Sequence, residues 1–115
     1  MKNFRDLRVW EKAHLLVLHA YRSANSFPKQ ELFGLTSQIR RAAATIAANI
    51  AKGCGKRGNG ELQRFFNIAT GSASELEYHL LLAHDLHFLD DSVYHSRNAN
   101  VVEVKRMLAS LASQD

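Results

Sequence analysis

The sequence predicts an all-α chain folded as an antiparallel up-down-up-down four-helix bundle. Three observations lead there. Apolar residues recur at three- and four-residue steps in four separate segments, the repeat that gathers them on one face of a helix. Proline occurs once, at Pro28, so little interrupts long helices. No segment alternates apolar and polar residues with period two over a useful length, so a sheet has no support.

The first helix is expected from about Asp6 to Ala24, with Leu7, Trp10, Ala13, Val17, Ala20 and Tyr21 as its apolar stripe. Asn25-Ser26-Phe27-Pro28 ends it, because a residue before proline avoids the helical region. Pro28 to Phe33 is expected to form a short helical turn broken at Gly34. The second helix then runs from about Thr36, read as its cap, to Lys52, with Ile39, Ala43, Ile46 and Ile50 inward and Gly53 as its stop. Its alanines favour helix and let a neighbour approach closely. Four glycines in Gly53–Gly60 mark a loop, with Asn59 read as the cap of the third helix.

The third helix is the longest, its face running through Leu62, Phe65, Phe66, Ala69, Ala73, Leu76, Leu80, Ala83 and His87. Small residues at Gly71–Ser74 predict tight packing at its middle. Asp90 or Asp91 caps a fourth helix with Tyr94, Val101, Val104, Leu108 and Leu111 inward. Short loops between four amphipathic helices give the antiparallel bundle, a single domain over residues 1–115. Phe4, Leu16, Leu18, Phe33, Ile68, Leu81 and Leu82 fall beside or outside the stripes. They imply either a wide buried face or a second apolar surface for self-association, which is the reading favoured here.

A chain of 115 residues can bury one core without staples, and Cys54, the only cysteine, allows no internal disulfide. Charges break up Met1–Trp10 where a signal peptide would need an apolar run, and no apolar stretch approaches a membrane span. The expected location is the cytoplasm. The net charge of +4 is unevenly distributed: residues 1–64 hold twelve Lys/Arg against four Asp/Glu, residues 65–115 three against seven. This predicts a polyanion-facing end or a charge-complementary self-contact, unless antiparallel packing mixes the two halves.

Catalytic patterns fail on inspection. Gly53-Cys54-Gly55-Lys56-Arg57-Gly58 is a literal GxGxxG, but a helix rather than a strand precedes it. A solvated linker is the plainer reading, with phosphate binding by its exposed N–H groups, Lys56 and Arg57 as the functional one. Cys54 lies among cations but lacks a positioned base. The six histidines do not supply the Glu-x-x-His unit on each of two helices that such metal sites use, so they are read as surface or helix-end residues, with no metal and no cofactor. Glu75 and Glu77 are two apart on a helix and do not face one point. Arg8 and His14 have the spacing of the HEPN ribonucleases, but Val9 follows the arginine where a polar residue is usual.

The stretches FRDLRVWEKAH (4–14), FPKQELFGLTSQIRRAAATIAANIAKG (27–53), RFFNIATGSASELEYHLLLA (64–83) and VKRMLASL (104–111) resemble one bacterial family. It is the four-helix-bundle proteins named after reading frames in 23S rRNA intervening sequences. Ala47, Lys52 and His87 stand where that family usually has proline, glutamate and glycine. Loss of the proline should straighten the second helix. The resemblance implies a ring-shaped homo-oligomer, typically a pentamer. It also points to relatives among the accessory proteins of diversity-generating retroelements, which bind nucleic acid and a reverse transcriptase.

The resulting expectation is a non-enzymatic, homo-oligomeric accessory protein that binds RNA. Its phosphate contacts are expected at Lys52, Lys56, Arg57, Arg64, Arg40 and Arg41. Arg40 and Arg41 carry a competing structural role, pairing with Glu75 or Glu77. Contact is expected with phosphates alone, since no aromatic residue interrupts the loop to stack on bases. The alternatives are a protein-interaction scaffold and, more remotely, the HEPN-like ribonuclease.

Overall fold

A computed structural model describes residues 3–112; Met1, Lys2 and 113–115 of the expected domain lie outside the described residues. Four helices follow one another: α1 (Arg8–Ala24), α2 (Leu35–Cys54), α3 (Asn59–Asp85) and α4 (Asp91–Ala112). Single 3-10 turns at Phe4–Asp6 and Lys29–Glu31 precede the first two. Among the described residues there is no strand.

Each helix packs against its neighbours in sequence, and α1 closes the square against α4. Short loops make consecutive helices antiparallel, and the cross-links agree. Arg40 near the start of α2 reaches Tyr21 near the end of α1, while Lys12 early in α1 pairs with Glu103 late in α4. The 27 residues of α3 span about 40 Å at 1.5 Å per residue, close to the 44 Å long axis of the molecule.

The core follows the stripes read from the sequence on α2 and most of α3 and α4, but not on α1, where Val9 and Leu16 are buried and Tyr21 is exposed. Val9, Ala13, Leu16 and Ala20 meet Ile39, Ala43, Ile46 and Ile50. Phe66, Ala69, Ala73, Leu76, Leu80 and Ala83 meet Val101, Val104 and Leu108. The α2–α3 pair has the most extensive contact, as the alanines Ala42, Ala43 and Ala47 on α2 permit. The off-stripe residues divide: Leu16 is core, Phe4 and Leu82 are partly buried, and Leu18, Phe33, Ile68 and Leu81 are exposed.

Several expected boundaries move, each for a physical reason. Thr36 is not a cap but a buried residue inside α2. The preceding turn instead lends Glu31, whose Oε1 accepts from Leu35 N at 3.1 Å and sets a carboxylate at the positive end of the helix. Gly53 does not stop α2; it is buried one residue before the helix ends. Its lack of a side chain serves packing, since an added Cβ would meet Phe65 Cβ at 3.2 Å and Leu62 Cδ1 at 3.3 Å. Asn59 is already helical; Gly58, with φ 85°, makes the turn before it without a side-chain cap. The middle of α3 is tight at Ala73 but open at Gly71, where an added Cβ would touch nothing.

His87 leaves the α3 face altogether, with φ 65° after the helix ends. Phe88 N donates to Ala83 O at 2.8 Å and His87 N to His84 O at 2.9 Å. That pair of bonds is a Schellman motif, whose left-handed position glycine fills most easily. Asp90 is the cap of α4, its Oδ1 accepting from Val93 N at 2.8 Å.

Candidate nucleic-acid interface

The end of the bundle that holds the α2–α3 loop also holds the start of α1 and the end of α4. Leu7, Cys54, Lys56, Leu62, Phe66 and Leu111 line one cavity there, of about 280 Å³. Dividing the molecule at the helix midpoints separates the charges. The loop end carries Arg5, Arg8 and Lys12; then Lys52, Lys56, Arg57 and Arg64; then Lys105 and Arg106. Asp6, Glu11, Glu61 and Glu103 oppose them. The opposite end has five Lys/Arg against six Asp/Glu among the described residues. Antiparallel packing therefore does not mix the charge; it sorts it along the long axis.

Within this end, the α2–α3 loop is the densest spot. Lys52 and Arg57 are exposed, and among the described residues neither has a carboxylate within ion-pair distance. Arg64 Nε donates to Glu61 Oε2 at 2.9 Å. That hydrogen bond and the Arg64 charge, with Lys56 adding, hold the Glu61 carboxyl below its usual range. One carboxylate thus serves two cations, leaving a net positive loop.

Phe65 stands in the middle of this group. Arg64 Cζ lies 4.6 Å and Lys56 Nζ 5.6 Å from its ring centroid, within cation–π range. The ring is half-buried. The loop itself holds no aromatic residue, but one reaches its cations from the first turns of α3. The sequence signal was the pair Phe65-Phe66. Successive helical residues diverge by 100°; Phe66 is the one fully buried, at 3% exposure, and Phe65 lies at the rim of the core.

Four of the six sequence-predicted residues, Lys52, Lys56, Arg57 and Arg64, lie at this end, and two of them, Lys56 and Arg64, share the Phe65 ring. Arg40 and Arg41 do not. They lie about 18 Å further along α2, at 1.5 Å per residue. Arg40 Nη2 donates to Asn25 Oδ1 at 2.7 Å, and its guanidinium lies 5.2 Å from the Tyr21 ring centroid. That is a structural role, but with partners other than those expected. Glu75 instead meets His79, and Glu77 meets Lys105. Arg41 shares a small cleft with Glu75 without an ion pair.

Arg8 and His14 are six residues apart on one helix and so point about 120° apart. His14 stacks on Trp10 at 4.9 Å and 7°, away from any shared chemistry with Arg8. Cys54 is buried at 4% exposure. Among the described residues no group of three or more His, Cys, Asp or Glu could hold a metal ion. No helix among them is long and apolar enough to cross a membrane.

The family model of the 23S rRNA-intervening sequence protein matches residues 5–110. The chain belongs to that family. A crystal structure of a protein of unknown function from the S23 ribosomal protein family of Bacteroides thetaiotaomicron has the same fold, with a TM-score of 0.83. It is 25% identical, over 92% of this chain and 99% of that one. No curated protein matches the chain. Membership in the 23S rRNA-intervening sequence protein family agrees with the resemblance carried by residues 4–14, 27–53, 64–83 and 104–111. The family's usual proline position, Ala47, lies inside an uninterrupted α2, and its usual glycine position, His87, is the left-handed residue after α3.

Proposed function

We propose that this chain is a non-enzymatic, homo-oligomeric accessory protein that binds RNA through the loop end of its bundle. The observation that carries the reading is the placement of Lys52, Lys56, Arg57 and Arg64 at one end of the bundle, with Glu61 the one close carboxylate among the described residues. Phosphate contacts from such a group release counterions, so binding weakens steeply with salt. Assembly multiplies the effect, because linked copies raise the effective concentration of each site. The resemblance suggests a ring-shaped pentamer in the cytoplasm, with a reverse transcriptase or another protein as a further partner.

Exposed apolar residues support self-association. Phe33 is 94% exposed and borders a groove of about 670 Å³ between α1 and α2, together with Tyr21, Leu32 and Ala48. Tyr78 and Leu81, three residues apart on α3, form a second exposed pair.

The test is a titration of structured RNA at several salt concentrations, comparing wild type with a Lys56→Ala, Arg57→Ala double variant. The variant should bind more weakly, its salt slope shallower by roughly one unit per lost phosphate contact. Absence of wild-type binding at low salt would leave the protein-interaction scaffold in its place. RNA cleavage by wild type that His14→Ala abolishes would restore the ribonuclease reading.

A further inference from the structure

We infer that the loop end selects single-stranded nucleic acid by stacking an unpaired base on Phe65 between the phosphate-binding side chains Lys56 and Arg64. This rests on the phosphate-binding reading above and adds the class of strand that the same site takes.

The Phe65 ring sits at the rim of the core. Phe66 is buried at 3% exposure, whereas Phe65, 100° around the helix, stays partly exposed. The part of the ring left exposed can be shielded by neighbouring side chains. Lys56 and Arg64 partly do so, at 5.6 and 4.6 Å from the ring centroid. The three groups differ in rigidity. Phe65 is pinned at its stem, because α2 passes directly beneath it at Gly53, where a Cβ would come within 3.2 Å of Phe65 Cβ. Lys56 and Arg64 carry their charges on long rotatable stems, and both are exposed. A strand laid across the loop draws these cations to its phosphates, and the departing cations uncover a ring that stays in place.

Only an unpaired base can take that ring. In a duplex the base faces are buried in the stack, whereas single strands offer them to aromatic side chains. Cations spaced around one aromatic ring match the alternation of phosphate and base along a strand. Stacking is tolerant of base identity, so strand form rather than sequence is what the site reads.

The experiment compares three oligonucleotides of one length: a single strand, its duplex, and a single strand with abasic sites. The intact single strand should bind wild type about tenfold more tightly than the abasic strand. Phe65→Leu, checked for unchanged helicity and melting, should lose that advantage while keeping the salt slope and the affinity for abasic strand and duplex. Phe65→Trp should restore the advantage. Equal wild-type binding of intact and abasic strands, or a Phe65→Leu variant that keeps the advantage, overturns the stacking inference and leaves phosphate binding standing. Failure of wild type to bind all three probes at low salt overturns both.

Discussion

Gly53 of α2 lies so close beneath Phe65 of α3 that a methyl group on the glycine would stand 3.2 Å from the phenylalanine Cβ. The contact joins the end of one helix to the start of the next across a four-residue loop, Gly55–Gly58.

Gly53→Ala pits two effects against each other. Alanine improves helix propensity by about 1 kcal/mol. Overpacking costs about 1–3 kcal/mol where the neighbour cannot yield, and here it is a side-chain stem at 3.2 Å and the Leu62 carbonyl at 3.4 Å. The expected result is a net loss of about 1 kcal/mol, read as a lower midpoint in urea or thermal denaturation. A raised midpoint would show that α3 shifts freely.

His87→Gly should stabilise the protein. A left-handed residue with a Cβ costs about 1–2 kcal/mol, and part of that gain is offset because glycine loosens the unfolded chain. The net gain should be about 0.5–1 kcal/mol, a rise of a few degrees in Tm. The same change to alanine should give no such gain, since alanine keeps the Cβ.

The α3–α4 corner should be acid-sensitive. His84 Nε2 lies 2.6 Å from Asp91 Oδ1. The hydrogen bond from His84, then its charge, and more weakly His95, hold the Asp91 carboxyl below its ordinary value of 3.8. A depressed carboxyl stabilises the fold above its unfolded pKa, and that contribution disappears as the pH falls through the folded value. Between pH about 5 and 3, wild type should therefore lose stability more steeply than Asp91→Asn. Parallel curves for the two proteins would show that the contact contributes nothing.

Phe33→Ser tests the exposed apolar groove. The side chain is 94% exposed, so folding stability should change by less than about 0.5 kcal/mol. If copies of the chain cover this surface, light scattering should show the variant dissociating toward the 12.9 kDa monomer at concentrations where wild type stays assembled. Unchanged assembly would move the interface elsewhere, the exposed Tyr78 and Leu81 of α3 being next.

The helices and their inward faces were legible because burial imposes a period. Ile39, Ala43, Ile46 and Ile50 lie in the core at the positions their spacing demands. Residues that answer to two physical rules were read by the wrong one. Gly53 can end a helix or admit a neighbour, and only the position of α3 decides. Phe65 was placed on the inward face of α3 beside Phe66, but at the loop end only Phe66 is fully buried. Arg40 was assigned acidic partners on α3, but its reach is toward Tyr21 and Asn25 at the end of α1. Long side chains carry no period, so their partners were visible only once the helices had been placed. The placement of Lys52, Lys56, Arg57 and Arg64 at one end of the bundle was readable from sequence, because they lie close along the chain around one helix-to-helix loop.

The sorting of charge along the 44 Å axis makes the molecule an electric dipole as well as a cation. In the field of a polyanion such a body feels a torque before it feels contact. It turns its loop end forward while still separated from the strand by roughly a Debye length, about 10 Å at 0.1 M salt. Orientation is the slow part of docking two specific surfaces, so raising the salt should slow arrival as well as loosen the complex.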